Sequence, residues 1–218
     1  MGWKSVLYQD ARPKMKAGDV IAFSGKGQFS EIMKWATRAP VSHVGVILQT
    51  QLLIDGDPQS GIFNQIIEST SLNGFSGVSI SRLSDRLNTY EGEIWWLPLR
   101  QNIHDSMDKK KYYDFLIHQE QKEYDMPQAI KSALDALNNI PIVGRATHNV
   151  EDFSRFFCSE LVAAGLEAAG AISHINASEV TPIDLCSFSL FESDYNQLKG
   201  NRKEIKGFNS IDPVGWGE

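Results

Sequence analysis

Strand-like and helix-like segments occupy different halves of this 218-residue chain, and that division is the strongest constraint on its fold. Short apolar runs such as 18–25 and 43–50, bounded by glycine, proline or polar residues, predict that the first hundred residues are mostly β-strand. Apolar residues spaced three and four apart predict helices over 105–121, 127–137 and 158–170. Strands followed by helices are typical of an α+β protein.

The composition predicts one soluble globular domain. Hydrophobic residues make up 42% of the chain and charged residues 22%, and a chain of this length can bury a full core. No internal repeat, low-complexity tract or linker divides it, so we predict a single domain over residues 1–218. The polar, glycine-containing stretch 201–218 is predicted to be a loosely packed tail.

Charge and hydropathy exclude several classes of partner. A net charge of −6 argues against nucleic acid as the main partner. No apolar run approaches the roughly 20 residues that a membrane span needs, and the first ten residues lack the apolar core of a signal peptide. Two cysteines indicate a fold that does not depend on disulfides. We therefore expect a cytoplasmic protein, or one secreted by a route that needs no signal peptide.

Two potentially reactive side chains stand out. Cys158 begins a predicted helix rich in small residues, where backbone N–H groups and the helix dipole favour a thiolate. His43 opens a predicted strand and can supply the base or imidazolium that such a thiolate needs. Both keep a structural alternative, because a free cysteine is usually a small buried hydrophobe and a lone strand histidine is usually an ordinary core or surface residue. Cys186 has no comparable setting and is predicted to be a core residue.

A third group should orient the imidazole through its second nitrogen. Glu68 is the candidate, because its predicted strand lies next to that of His43 and because it shares a face with Asn64 and Ile66. An exposed glutamate at a strand end is an equally good interpretation. The other histidines show no zinc-type spacing, so we expect no metal or cofactor. They are predicted to be surface residues: His104, His118, His148 and His174.

An ordered set of short motifs resembles one known family. In chain order the motifs are GDVI at 18–21, SHVGV at 42–46, IES at 67–69, YD at 124–125, FCSELV at 157–162 and TPIDL at 181–185. Together they resemble the permuted papain-like amidases of the NlpC-type cysteine hydrolase superfamily, a group that also includes lecithin:retinol acyltransferase-like enzymes. The resemblance covers about residues 17–187. It implies a circularly permuted papain-like fold, in which an antiparallel sheet packs against helices and the nucleophile helix follows the histidine strand.

The resemblance also implies roles for individual residues. Cys158 is the nucleophile, His43 the base and Glu68 the residue that orients His43. The residues implied to contact substrate are Tyr124, Ser42 and Phe157. The chain departs from the family pattern at Phe157, where tyrosine is frequent, and at Val41, where an aromatic residue is frequent. Residues 102–121 match no family segment and are predicted to be an insertion that shapes the cleft.

The implied activity is cleavage of an amide bond through a thioester acyl-enzyme. The substrate we expect is a peptidoglycan stem peptide or a related isopeptide bond, as for an exported antibacterial effector. Two alternatives stay open. The abundant aromatic residues suit the acyl chain of a lipid-directed acyltransferase or thioesterase, although core packing explains them equally well. The fold can also serve a catalytically silent binding protein. The expected partner is a peptide or acyl substrate, and the sequence says nothing about oligomeric state.

Overall fold

A seven-stranded sheet organises the molecule. The computed structural model describes residues 2–26, 30, 34, 39–51, 53–54, 57–58, 63–72, 75–120 and 158–217. The strands in these ranges are β1 (Gly2–Ser5), β2 (Val20–Gly25), β3 (His43–Gln49), β4 (Leu53–Ile54), β5 (Asp57–Pro58), β6 (Gln65–Leu72), β7 (Phe75–Arg82), β8 (Gly92–Leu97) and β9 (Asp194–Lys199). The sheet has the order β1-β9-β8-β2-β3-β6-β7, and β4 pairs only with β5.

The sheet is mixed, although its centre is antiparallel as predicted. Strands β8, β2, β3, β6 and β7 pair antiparallel in succession, and β9 pairs antiparallel with β8. The prediction of an antiparallel sheet is wrong at one edge, where β1 pairs parallel with β9. Alternation along a strand shows which face is buried but not the direction of its neighbour, so the sequence could not reveal this pairing.

Six helices are described. They are α1 (Tyr8–Ala11), α2 (Leu83–Thr89), α3 (Gln101–Ser106), α4 (Lys109–Gln119), α5 (Cys158–Ala168) and α6 (Pro182–Ser187). The TPID sequence at 181–184 predicts a helix start with a threonine cap, and α6 begins there with a capping box, in which the Thr181 hydroxyl accepts from the Asp184 N–H while the Asp184 carboxylate accepts from the Thr181 N–H. The predicted helix over 127–137 lies outside the described residues.

Each face of the sheet has its own apolar cluster. Helix α5 packs on the face that carries Val44 and Val46 of β3, and its small residues allow close contact. A Cβ on Gly165 would lie 2.9 Å from Leu116 Cδ2, so the glycine lets α4 approach α5. The opposite face carries Ile47 of β3 together with residues of β2, β6 and α2. Strand alternation predicts Val44 and Val46 on one face of β3 and Ile47 on the other, and this packing confirms it.

Two segments pack more tightly than their composition predicted. In the stretch after residue 201, Ile205 and Phe208 are buried, and the Phe208 ring lies 4.6 Å from the Tyr195 ring. The prediction of a loose tail is wrong because two apolar anchors outweigh the polar residues around them. The described part of the segment 102–121 contains most of α3 and all of α4, and its buried side chains join the main core.

Candidate active site

Strands β3 and β6 place His43 next to Glu68. The His43 Nε2 atom lies 2.8 Å from Glu68 Oε2, and the Glu68 side chain is fully buried. Gly45 makes this approach possible, because a Cβ there would lie 2.7 Å from Ile66 Cδ1 and 3.1 Å from Glu68 Cβ. The space beside Gly45 is therefore filled by β6 side chains. The sequence-based choice of Glu68 as neighbour of His43 matches this geometry.

The structure brings Cys158 to the same histidine. The Cys158 thiol of α5 and the His43 ring share a hydrogen bond. Because Nε2 faces Glu68, Nδ1 is the ring nitrogen left for the sulfur. The backbone N–H groups of Val44 and Ser159 also donate to the sulfur. Cys158 is 6% exposed and the His43 side chain 14% exposed, so the pair lies just below the surface.

The surroundings favour an ion pair between the sulfur and the ring. Burial opposes charge on both groups. Despite burial, the negative charge of Cys158 and then Glu68 raise the pKa of His43 to about 9. Burial alone would raise the pKa of the Cys158 thiol. The His43 charge and the backbone N–H donors outweigh burial, so the pKa of Cys158 is lowered. Both shifts move the pair toward a thiolate beside an imidazolium.

Glu68 is held as a carboxylate. Burial raises its pKa, but the hydrogen bond and charge of His43, and then the Arg86 guanidinium, outweigh burial and lower it. Arg86 of α2 is buried, and its Nε and Nη2 atoms lie 2.6 Å and 3.0 Å from Glu68 Oε1 and Oε2. Sequence reasoning missed Arg86. A signal was available, because Leu83, Arg86 and Tyr90 follow helical spacing and so share one side of α2.

Of the predicted substrate-binding residues, Ser42 is the one that the described part of the chain includes. Ser42 is buried, and its hydroxyl accepts from the Gly25 N–H at 3.3 Å and lies 3.4 Å from the Phe23 carbonyl oxygen to which it donates. This placement is contrary to a substrate contact, because the hydroxyl ties the entry of β3 to β2. Tyr124 and Phe157 lie outside the described residues.

A second buried acid–histidine pair lies elsewhere in the molecule. His104 Nε2 of α3 is 3.0 Å from Asp19 Oδ1, and both side chains are buried. The prediction that His104 is a surface residue is wrong, because its side chain turns inward to this carboxylate. Cys186 is buried as predicted, and burial, followed by nearby Asp184 and Cys158, raises the pKa of its thiol.

Comparison with known proteins gives a distant structural likeness. No family model matches the sequence. No curated protein matches it either. Among solved structures, the chain is similar to the metalloprotein yiiX from Escherichia coli O157:H7, of the DUF1105 group, with a TM-score of 0.41 and 17% identity. The alignment covers 71% of this chain and 66% of that protein, slightly less than two thirds of its length.

Among the described residues, no group of three or more histidine, cysteine, aspartate or glutamate side chains is arranged to hold a metal ion. Within the same parts of the chain, no helix has the length and apolar character required to cross a membrane.

Proposed function

We propose that this protein is a cysteine hydrolase with a circularly permuted papain-like fold, in which Cys158 is the nucleophile, His43 the base and Glu68 the orienting acid. The observation that carries the proposal is the contact of one histidine with a thiol on one side and a buried carboxylate on the other. This is the arrangement by which a positioned base activates a nucleophile. The chain order, with the histidine strand before the cysteine helix, supports the permuted fold.

The reaction we propose is acyl transfer through a thioester. The Cys158 thiolate attacks the amide carbonyl, and the electron pair of the C=O bond moves onto oxygen. Collapse of this intermediate breaks the C–N bond, and the His43 imidazolium gives its proton to the leaving nitrogen. His43, now neutral, takes a proton from water as the water attacks the thioester. The acid leaves, and the thiolate–imidazolium pair is restored.

The substrate class we propose is a peptide amide of the bacterial cell wall. It is supported by the motif resemblance of residues 17–187, in which GDVI, SHVGV and FCSELV occur in the family order. Glu68 keeps its negative charge through the cycle, since Arg86 and His43 both stabilise it. His43 can therefore lose and regain its proton during the reaction while Glu68 stays ionised.

The test is cleavage by wild type, Cys158→Ala and the matched control Cys186→Ala, measured by mass analysis of peptidoglycan digests. We expect wild type and Cys186→Ala to release new amine and acid ends at one amide bond and Cys158→Ala to release none. Lipid acyl esters form a second substrate arm. Cleavage confined to that arm would reject the amide substrate and keep the cysteine mechanism. Full activity of Cys158→Ala would refute the hydrolase mechanism itself.

The pH dependence provides an independent check on the role of His43. Because His43 must carry the proton for the leaving nitrogen, kcat/KM should fall as the pH rises above about 9. On the acid side, kcat/KM should fall as the Cys158 thiolate takes up a proton. A profile that keeps rising through the alkaline range would contradict the use of an imidazolium as the acid.

A further inference from the structure

We infer that Arg86 is a positioning residue of this site, which holds Glu68 ionised and aimed at His43 and thereby keeps Cys158 as a thiolate. The inference deepens the proposed function and rests on it. Arg86 does not touch the sulfur or a reacting atom in this arrangement. It acts through Glu68, which in turn contacts His43.

The contact between Arg86 and Glu68 is a two-point contact. Arg86 Nε lies 2.6 Å from Oε1, and Arg86 Nη2 lies 3.0 Å from Oε2. Oε2 is also the atom that faces His43 Nε2 at 2.8 Å. Two parallel N–H···O bonds fix the plane of a carboxylate as well as its position. Arg86 therefore determines the direction in which Oε2 meets the imidazole.

Aromatic rings hold the guanidinium in place. The Arg86 guanidinium carbon lies 5.3 Å from the centre of the Phe23 ring and 5.2 Å from that of Tyr90. The Phe23 ring is also 5.3 Å from the His43 ring, so one side chain packs against both ends of the network. A guanidinium is planar and weakly hydrated and stacks on such rings, whereas a lysine ammonium is a strongly hydrated point charge. The surroundings thus suit arginine.

Charge balance explains what Arg86 contributes. Thiolate, imidazolium, carboxylate and guanidinium alternate in sign along Cys158, His43, Glu68 and Arg86, and their sum is zero. Without Arg86 the buried site would hold two anions and one cation, which burial disfavours. A proton would then enter the cluster. On Cys158 it removes the thiolate directly, and on Glu68 it removes the charge that stabilises the imidazolium, so both routes reduce the thiolate population.

Other titratable groups around the cluster do not take over this role. Burial raises the pKa of Tyr90 to about 12, although hydrogen bonds with Ser30 and Ser42 lower it. The phenol therefore stays neutral. Burial also raises the pKa of Cys186, which stays a thiol. Among the described residues, the groups that face Cys158 and its network from the packed elements are His43 on β3, Glu68 on β6, Arg86 on α2, Tyr90 after α2 and Cys186 on α6.

The experiment measures the rate of iodoacetamide alkylation at Cys158 across a pH series, with each cysteine followed by peptide mass spectrometry. In Arg86→Gln we expect the midpoint of the rate profile to move up by about one pH unit, because a positive charge has left the cluster. The matched control is Arg82→Gln. Arg82 is exposed at the end of β7, four residues before Arg86, and its guanidinium carbon lies 5.4 Å from the centre of the Phe63 ring, so the midpoint of this variant should stay at the wild-type value.

Two further variants keep the test decisive. Arg86→Lys retains the charge but loses the two-point contact, so we expect a smaller upward shift. If Arg86→Gln does not fold, an unchanged midpoint in Arg86→Lys overturns the inference. In a Glu68→Gln background, Arg86→Gln should cause no additional shift, because Arg86 acts through Glu68. An equal shift in that background also overturns the inference.

Alkylation needs no substrate, so the two proposals can fail separately. A shifted midpoint in a protein that cleaves neither amides nor acyl esters would reject the hydrolase and support the role of Arg86. Amide cleavage that depends on Cys158, with the same midpoint in folded Arg86→Gln as in wild type, would support the hydrolase and reject the role of Arg86.

Discussion

The described residues contain two buried acid–histidine pairs, and the two pairs differ in their further contacts. Glu68 meets His43 at 2.8 Å, and Asp19 meets His104 at 3.0 Å. The first pair continues to a thiol on one side and a guanidinium on the other. The second pair continues to hydrogen-bond donors of the fold: the Asp19 carboxylate also accepts from the Lys16 N–H, the Leu99 N–H and the Trp96 indole N–H.

The difference shows that an acid and a histidine in contact do not by themselves make a reactive site. Asp19 ties together the start of β2, the end of β8 and α3, and its oxygens are occupied by fixed donors. Glu68 has a fixed donor, Arg86, on one side, but on the other side it faces His43, whose proton can move to and from the sulfur. The pair of His43 and Glu68 differs from the pair of His104 and Asp19 because a thiol, that of Cys158, contacts the second nitrogen of the His43 ring.

The largest expected effect on the reactivity of Cys158 comes from removing His43, with removal of His104 as the matched control. His43→Ala should slow alkylation of Cys158 near neutral pH by about a hundredfold or more, because the thiolate loses its counterion. His104→Ala should leave that rate unchanged and lower the melting temperature, since a buried carboxylate loses a partner. Alkylation rates and thermal unfolding are measured on the same preparations. An equal loss of reactivity in both variants would remove the distinction between the two pairs.

Changing the two acids should give the next largest effect. Glu68→Gln should slow alkylation of Cys158 by about tenfold, because the imidazolium loses a negative charge that raises its pKa. Asp19→Asn should reduce the free energy of unfolding by about 1–3 kcal/mol without altering the rate, because buried donors lose a charged acceptor. Denaturant unfolding with parallel alkylation checks both. A slower rate in folded Asp19→Asn would connect the two pairs.

The smallest effect is expected from Gly45→Ala. The added Cβ would lie 2.7 Å from Ile66 Cδ1 and 3.1 Å from Glu68 Cβ, so it would push Glu68 away from His43. We expect alkylation of Cys158 to slow a few-fold. Gly165→Ala is the matched control, because its Cβ meets Leu116 at 2.9 Å on the other face of the sheet. That variant should lose stability and keep its alkylation rate. If Gly165→Ala slowed alkylation and Gly45→Ala did not, the reactivity of Cys158 would depend on the packing of α5 and not on the position of Glu68.

The sequence allowed the local parts of this arrangement to be predicted and left out the long-range ones. The alternation of β3 and the cap at Thr181 follow from neighbouring residues, and the choice of Glu68 needed only two adjacent strands. The burial of His104 depends on a carboxylate 85 positions earlier in the chain. Arg86 was missed for a related reason: a positive side chain on a short helix is usually exposed. Its helical spacing with Leu83 and Tyr90 indicated a buried side, but its partner Glu68 is set by a tertiary contact.

The order of the site along the chain has a consequence for synthesis on the ribosome. His43, Glu68 and Arg86 emerge early and lie on neighbouring elements, whereas Cys158 follows much later on α5. An unfinished chain can therefore assemble the base and its acid while it still lacks the sulfur. Strand β1 must also wait for β9, which lies between it and β8. Nascent protein thus holds no activated thiol until Cys158 has been translated and α5 can pack against β3.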